Sequence, residues 1–169
     1  MIEGLLIIEN FETNENIITL LENINKCKWN KEISRDTMHF GKRYNYSTRS
    51  LEDTSPIPEW FNEINGKIEK IFGKKVEQII INKYKTGQGI APHIDHTDHF
   101  GAIIASFSIN AEVPLTMSRS GFKTETYMMK HASLVVLKDD ARYKWKHSLK
   151  NNTDKTRISI TFRTLKKTQ

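Results

Sequence analysis

A histidine and an aspartate two residues apart, His93 and Asp95, form the pair best placed to do chemistry. In an extended strand, side chains two apart project to the same side, so an imidazole and a carboxylate converge there. They supply two of the three ligands of a facial site of two histidines and one carboxylate, which suits Fe(II). Gly87, Gly89 and Pro92 precede the pair and are typical of a tight turn between two strands. A second histidine must then complete the site.

The remaining histidines are the candidates for this third ligand: His39, His96, His99, His131 and His147. On a strand, His96 would face away from the metal because it follows Asp95 directly. Three others fall in an aromatic segment, a turn and a strand edge. His147 fits better, because it ends a predicted strand over residues 143–147 in which Tyr143, Trp145 and His147 share one face.

Polar and apolar side chains alternate along a predicted strand over residues 157–164. Four polar residues project to the same side: Arg157, Ser159, Thr161 and Arg163. By pattern alone, this side can also be the solvated face of an edge strand. A metal site that uses a small dicarboxylate needs cations to receive the carboxylates. An arginine fork does this bidentately and keeps its charge when buried.

The rest of the pattern predicts a mainly β fold with flanking helices, of the α+β class, in one domain covering residues 1–169. We expect a strand over residues 4–11 and helices over residues 12–26, capped by Thr13 or Asn14, and 56–72. Eight short strands follow, over residues 76–84, 91–95, 102–110, 114–119, 124–130, 133–138, 143–147 and 157–164. Such a succession favours a sandwich or barrel with both helices packed outside it.

Charge is unevenly distributed along the 169 residues, whose net charge is +6. Residues 115–169 contain 13 Lys and Arg against 4 Asp and Glu, whereas residues 1–114 contain 13 against 16. The basic half should carry the second histidine and would attract a polyanion toward the site, which makes nucleic acid a plausible partner. The single cysteine, Cys27, excludes an internal disulfide, and the apolar run over residues 4–8 is too short for a signal or membrane segment. We expect a monomer in the cytoplasm or nucleus, away from membranes.

Aromatic and cationic residues are interleaved over residues 29–50. They are Arg35, His39, Phe40, Arg43, Tyr44, Tyr46 and Arg49. Aromatic rings among cations can stack bases and bind phosphates. An ordinary half-exposed hairpin has a similar composition, so both interpretations stay open at this point.

Four motifs in this order resemble the AlkB family of Fe(II)- and 2-oxoglutarate-dependent dioxygenases. They are Asn82-x-Tyr84 with the Gly87-x-Gly89 turn, His93-x-Asp95, Trp145-x-His147-Ser148-Leu149, and Arg157-x-Ser159-x-Thr161-x-Arg163. The resemblance covers about residues 35–165. It implies a double-stranded β-helix, or jelly roll, with the N-terminal helices packed on one sheet. Residues 76–165 would be its catalytic β-core, and residues 35–50 a nucleotide-recognition lid.

The resemblance also implies roles for individual residues. The iron ligands would be His93, Asp95 and His147. The residues that bind 2-oxoglutarate would be Asn82, Tyr84, Arg157, Ser159 and Arg163. Among these, Arg157 would hold the distal carboxylate, and Arg163 could also orient Asp95. The substrate would contact Arg35, Phe40, Arg43, Tyr44, Tyr46 and Thr97.

The implied reaction consumes O₂ and 2-oxoglutarate, releases succinate and CO₂, and oxidises a C–H bond of a modified base in DNA or RNA that is single-stranded or flipped out. An N-methyl group would leave as formaldehyde, whereas a larger substituent could keep its hydroxyl. Repair members of the family commonly carry an acidic residue where this chain has Thr97. The local sequence of residues 87–95 and 142–147 is more similar to that of homologues associated with tRNA wobble-uridine hydroxylation. Oxidation of a protein side chain and a non-catalytic nucleic-acid-binding module are further alternatives, the latter disfavoured by the complete ligand set.

Overall fold

The computed structural model describes residues 1–45 and 47–167. The strands in these residues are β1 Leu5–Ile8, β2 Asp36–Phe40, β3 Lys42–Asn45, β4 Ser50–Asp53, β5 Gln78–Tyr84, β6 Gly89–His93, β7 Phe100–Asn110, β8 Val113–Ser118, β9 Glu125–Met129, β10 Leu134–Leu137, β11 Lys146–Lys150 and β12 Arg157–Leu165. The helices are α1 Asn14–Asn25, a 3₁₀ turn over Glu59–Phe61, α2 Asn62–Phe72 and α3 Asp139–Tyr143.

Two antiparallel sheets face each other. The larger has six strands in the order β1-β10-β7-β12-β5-β2, and the smaller has four in the order β6-β11-β8-β9. Strands β3 and β4 form a separate hairpin. This architecture is a double-stranded β-helix, so the predicted fold class is confirmed.

Alternation along the strands of the larger sheet separates a core from a polar interior. On β12, Ile160 and Phe162 are fully buried in a cluster with Ile17 of α1 and Ile68 of α2, so the helices cover the outer face of this sheet. The polar residues of β12 therefore face the space between the two sheets. The prediction that both helices pack outside the β-sandwich is confirmed.

Helix boundaries follow local chemistry. Helix α1 begins after Thr13, whose hydroxyl accepts a hydrogen bond from the Asn16 backbone N–H at 3.2 Å. Helix α2 begins at Asn62, later than expected, because Pro58 keeps extended backbone angles and only the 3₁₀ turn intervenes. It ends at Gly73, which adopts a left-handed conformation with φ of 66°.

Among the helices in the described residues, none has the length and apolarity that crossing a membrane requires.

The strand predicted over residues 143–147 is wrong. Tyr143 ends α3, and β11 begins only at Lys146. Asp139 and Asp140 lie in the first turn of α3, where acidic side chains stabilise the positive end of a helix. Tyr143 is 44% exposed and Trp145 only 6%, so the expected shared face does not form.

Candidate active site

A cavity of about 620 Å³ lies between the two sheets. Strands β5, β7 and β12 line one side and strands β6 and β11 the other, while residues 30–44 contribute part of the rim. Most of the residues predicted to bind metal, cosubstrate or substrate line this space.

His93 and His147 are direct cross-strand partners on β6 and β11, and their ring centroids are 4.2 Å apart. Their Nε2 atoms lie 3.3 Å and 3.4 Å from the same oxygen, Oδ1 of Asp95. One ligand atom from each of the three residues falls within 4.8 Å of the others. The strands approach closely because Gly89 has no side chain: a Cβ there would lie 2.2 Å from the Leu149 carbonyl oxygen. The structure thus brings the three expected ligands together.

Asp95 does not lie on a strand, which corrects the predicted strand over residues 91–95. Strand β6 ends at His93, and the loop that follows is held by Arg142 of α3. The buried Arg142 guanidinium donates to the carbonyl oxygens of Asp95 at 2.8 Å, His96 at 3.1 Å and Gly101 at 3.2 Å. Sequence reasoning missed this role because it assigned residues 91–95 to a strand, and no local pattern around Arg142 indicates a partner so distant in sequence.

The two oxygens of Asp95 have different partners. Arg163 donates to Oδ2 from Nη2 at 2.6 Å and from Nε at 2.7 Å, while Oδ1 faces the imidazoles. Burial alone would raise the pKa of the Asp95 carboxyl, but Arg163 and the two imidazoles lower it well below its usual range. The carboxylate is therefore ionised and presents one oxygen between the two histidines.

Both imidazoles can present a lone pair to the same point. The Nδ1 atom of His93 lies 2.8 Å from the Ala91 carbonyl oxygen, which can only accept, so Nδ1 donates and Nε2 is left to bind a metal. Burial lowers the pKa of His147 to about 4, which keeps this imidazole neutral at pH 7. Two imidazole nitrogens and one carboxylate oxygen are the donor set of a facial Fe(II) site.

Arg157 lies in the cavity wall with only 2% of its surface exposed. Its Nη2 donates to Ser108 Oγ at 2.7 Å, whereas Nε and Nη1 are buried and have no hydrogen-bond partner in the described residues. Burial lowers its pKa to about 10, so the guanidinium keeps its charge at neutral pH. A buried cation with two unpaired donors is costly unless an anion joins it. The distal carboxylate of 2-oxoglutarate fits this requirement.

The other residues expected at the cosubstrate surround Arg157 and Asp95. Tyr84 is the cross-strand partner of Arg157, and Asn82 is that of Ser159. Burial raises the pKa of the Tyr84 hydroxyl, against the opposite effect of the nearby Arg35 and Arg157 guanidinium groups. Asn82 Oδ1 accepts from Arg35 Nε at 2.8 Å. All five expected residues line the cavity, on the same wall.

Three of the residues expected to bind substrate lie at the rim of the cavity: Arg35, Arg43 and Tyr44. Arg43 pairs with Glu32 at 2.7 Å. The Tyr44 ring lies 4.2 Å from the His96 ring and 5.2 Å from the His99 ring, measured between centroids. These rings place an aromatic surface beside the metal ligands.

Two of the predicted substrate residues, Phe40 and Thr97, are not placed in the cavity wall, and one cannot be assessed. Phe40 packs into the helix-facing core, with its ring centroid 5.7 Å from that of Phe61, because the alternation of β2 directs His39 to the cavity instead. Thr97 lies in the exposed turn after His96 and is not among the described residues that line the cavity. Tyr46 lies outside the described residues.

His39, one of the candidate ligands, and Gln78, to which no role was assigned, also line the cavity. Burial, with Arg43 and Arg163 nearby, lowers the pKa of His39 to about 4, so its imidazole is neutral. Gln78 is fully buried next to Arg163. His131, another candidate ligand, bonds the Asn110 backbone N–H away from the metal ligands. The alternation of side chains along β2 and β5 would have placed both residues in the cavity. That prediction requires the register of the two strands, which the sequence alone does not provide.

The chain belongs to the 2OG-Fe(II) oxygenase superfamily, whose pattern matches residues 4–163. It is an Fe(II)- and 2-oxoglutarate-dependent dioxygenase that uses O₂, as expected from the donor set. Within this class it is similar to AlkB homologues.

Three relatives are similar in sequence. Uncharacterized protein L905 of Acanthamoeba polyphaga mimivirus is 31% identical over 183 residues, which cover 96% of this chain and 85% of that protein. The tRNA (carboxymethyluridine(34)-5-O)-methyltransferase alkbh8 of Xenopus tropicalis is 28% identical, with 86% of this chain and 25% of that protein covered. The Alkylated DNA repair protein ALKBH8 homolog of Arabidopsis thaliana is 24% identical, with 86% of this chain and 50% of that protein covered. The chain thus spans a quarter of the length of the Xenopus tropicalis relative and half of the length of the Arabidopsis thaliana relative.

Two solved structures share the fold. The structure of OsALKBH1 has a TM-score of 0.78 at 14% identity and covers 96% of this chain and 97% of its own. A Pseudomonas putida prolyl-4-hydroxylase has a TM-score of 0.72 at 12% identity and covers 98% of this chain and 94% of its own. At these identities the likeness concerns the fold alone.

Proposed function

We propose that this dioxygenase oxidises a modified base in DNA or RNA. The observation that carries the proposal is the rim of the cavity, where Tyr44 with two histidine rings and the cations Arg35 and Arg43 stand beside the metal ligands. An enzyme that acts on a base must receive it unpaired, and an aromatic wall next to cations suits a base and its flanking phosphates. Residues 35–50 would form this lid in a domain of residues 1–169.

The residues divide the work between two ends of the cavity. His93, Asp95 and His147 would hold Fe(II), and Arg157 would hold the distal carboxylate of 2-oxoglutarate. When bound, these groups supply the oxidation: O₂ is consumed, 2-oxoglutarate becomes succinate and CO₂, and one oxygen atom enters a substrate C–H bond. Arg163 keeps Asp95 ionised and turned toward the histidines. The neutral His147 is ready to bind metal without first losing a proton.

Two products are distinguishable by chemistry. Hydroxylation of an N-methyl group gives an unstable product that loses formaldehyde and restores the base, which would be repair. Hydroxylation of a larger substituent leaves the hydroxyl in place. The tRNA uridine named for the Xenopus tropicalis relative supports a wobble-uridine modification as a second candidate.

The test is a mixed panel of substrates analysed by mass spectrometry. It contains single-stranded DNA and RNA with N-methylated bases, tRNA with modified wobble uridines, and peptides, each with Fe(II) and 2-oxoglutarate. We expect loss of a methyl group or gain of one oxygen atom in a nucleic acid, with matching succinate. Oxidation confined to a peptide would contradict the proposal and favour a protein hydroxylase.

His147→Ala supplies the negative variant in this panel, because it removes an imidazole that faces Asp95 Oδ1. We expect loss of turnover and weaker metal binding with the fold retained, as judged by circular dichroism. The matched control is His131→Ala, since His131 bonds Asn110 and not the ligand group. Full activity in the first variant with loss in the second would exclude His147 as a ligand.

A further inference from the structure

Gln78 is a buried amide whose two ends bond to different parts of the molecule. It is the first residue of β5 and is 0% exposed. Its Oε1 accepts from Arg163 Nη1 at 2.8 Å, and its Nε2 donates to the Lys42 carbonyl oxygen at 2.9 Å. Fully buried polar groups persist where their partners are fixed, so both bonds constrain the side chain.

The acceptor end of Gln78 orients the arginine that holds Asp95. Arg163 bonds Asp95 Oδ2 through Nε and Nη2, and Gln78 through Nη1. Because a guanidinium is planar, an acceptor on its far corner fixes the plane in which the other two donors meet the carboxylate. Residues that orient a metal ligand in this way affect metal binding without touching the metal.

The donor end of Gln78 holds the hairpin at the cavity rim. Lys42 begins β3, the strand that carries Arg43 and Tyr44. Gly41, just before it, has φ of 82°, and a Cβ there would lie 2.2 Å from the Glu77 carbonyl oxygen. The turn into β3 therefore lies directly on the chain that presents Gln78, and a side chain at Gly41 would push the two apart.

We propose that Gln78 is a positioning residue that connects the rim hairpin to the ligand Asp95 through Arg163. Three contacts in series make this connection: Lys42 to Gln78, Gln78 to Arg163, and Arg163 to Asp95. A displacement of β3 when substrate binds is transmitted to the carboxylate that meets the metal. The part of the inference that concerns substrate rests on the proposed function, whereas the part that concerns the metal does not.

Substitutions separate the two ends of the amide. Gln78→Met has a similar volume and removes both bonds. Gln78→Glu keeps an acceptor for Arg163 and removes the donor to Lys42. The matched control is Gln88→Met, because Gln88 also donates from its side chain to a backbone carbonyl, that of Ser34, but does not contact Arg163.

The experiment titrates Co(II), a spectroscopic substitute for Fe(II), into the full chain without nucleic acid. Direct outer partners of metal ligands affect affinity about 10- to 100-fold, so for Gln78→Met, one bond further out, we expect a roughly 3- to 10-fold higher Co(II) Kd and a changed absorption spectrum. Gln78→Glu should bind Co(II) like the parent, yet show a raised KM for the oligonucleotide substrate at similar kcat. Gln88→Met should keep the parental Co(II) spectrum.

Two results would overturn the inference. The first is a parental Co(II) Kd and spectrum in Gln78→Met, which would make Gln78 a packing residue. The second is Co(II) binding as weak in Gln78→Glu as in Gln78→Met, which would show that the loss of metal affinity does not depend on the bond between residue 78 and Arg163. Should Gln78→Met fail to fold, retained Co(II) binding with a raised KM in Gln78→Glu supports the inference, and weakened Co(II) binding contradicts it. If no nucleic acid is oxidised, the Co(II) comparison still decides the metal part.

Discussion

Two arginines in this cavity, Arg157 and Arg163, differ in how many of their N–H donors already bond to the protein. Arg163 bonds Asp95 and Gln78 through three nitrogen atoms, whereas Arg157 uses one nitrogen, on Ser108. The first is therefore committed to the protein, and the second is prepared for a ligand. A buried unpaired donor costs about 1–3 kcal/mol, which a bound carboxylate recovers.

Arg157→Lys should raise the concentration of 2-oxoglutarate needed for half-maximal succinate formation by about 10- to 100-fold, since a point charge replaces a bidentate fork. The measurement is succinate production against 2-oxoglutarate concentration. Arg119→Lys is the matched control, because Arg119 forms a surface pair with Asp140. If Arg157→Lys needs no more 2-oxoglutarate than the parent for half-maximal succinate formation, Arg157 does not bind the cosubstrate.

At the scale of elements, the hairpin of β3 and β4 positions the rim residues next to the metal ligands. Tyr44 lies on β3 and packs against His96, which follows Asp95 in the loop held by Arg142. Arg43 on the same strand is paired with Glu32. The hairpin thus offers an aromatic surface directly, but its arginine must leave a carboxylate before it can bind a phosphate.

Tyr44→Ala should weaken binding of a single-stranded oligonucleotide by about 10- to 100-fold, because stacking of a base on an aromatic side chain is worth about 1–3 kcal/mol. Succinate formed without nucleic acid should change little. Fluorescence anisotropy gives the Kd, and Tyr143→Ala, which removes an exposed tyrosine from α3, is the control. Equal affinity in all three proteins would remove Tyr44 from the substrate surface.

Glu32→Gln should tighten oligonucleotide binding by up to about fivefold, since it frees Arg43 from an exposed, and therefore weak, ion pair. The dependence of log Kd on log salt concentration should also steepen, because one more cation meets the phosphates. Affinity measured at several salt concentrations tests this. A weaker complex would show that Glu32 itself contacts the substrate.

Elements also show how far the sequence could determine the structure. The alternation along β12 predicted which residues face the cavity, because strand periodicity is local and one face meets an apolar helix layer. The loop at Asp95 was not predictable in this way, since it depends on Arg142, which is distant in sequence. Phe40 was assigned to the wrong face because parity requires the register of β2 on β5, which only the fold supplies.

For the whole molecule, the buried neutral histidines make stability depend on pH. Burial lowers the pKa of both His39 and His147 from 6.5 to about 4, so between these values the unfolded chain binds more protons than the folded one. The free energy of unfolding of the metal-free protein should therefore fall as pH drops from about 6.5 toward 4, by at most about 1.4 kcal/mol per pH unit for each histidine.

Urea unfolding at a series of pH values measures this decline. His39→Gln should flatten it, because the variant keeps a polar side chain but loses one titrating group. His131→Gln is the control and should keep the parental slope, since His131 bonds the Asn110 backbone N–H away from the cavity. Identical slopes for the parent and His39→Gln would assign the decline to other groups.

The pairing of Asp95 with Arg163 joins positions 68 residues apart in the chain. Together with the pairing of β6 and β11, it means that the ligand group forms only once both sheets are complete. A metal that binds the native chain alone stabilises it by about 2.7 kcal/mol at a hundred times its Kd, by mass action. Proteases in a cell remove the unfolded fraction, and metal binding lowers that fraction. We therefore expect iron supply to set how long each copy of the protein survives, so that a cell short of iron holds fewer copies of an enzyme it could not use.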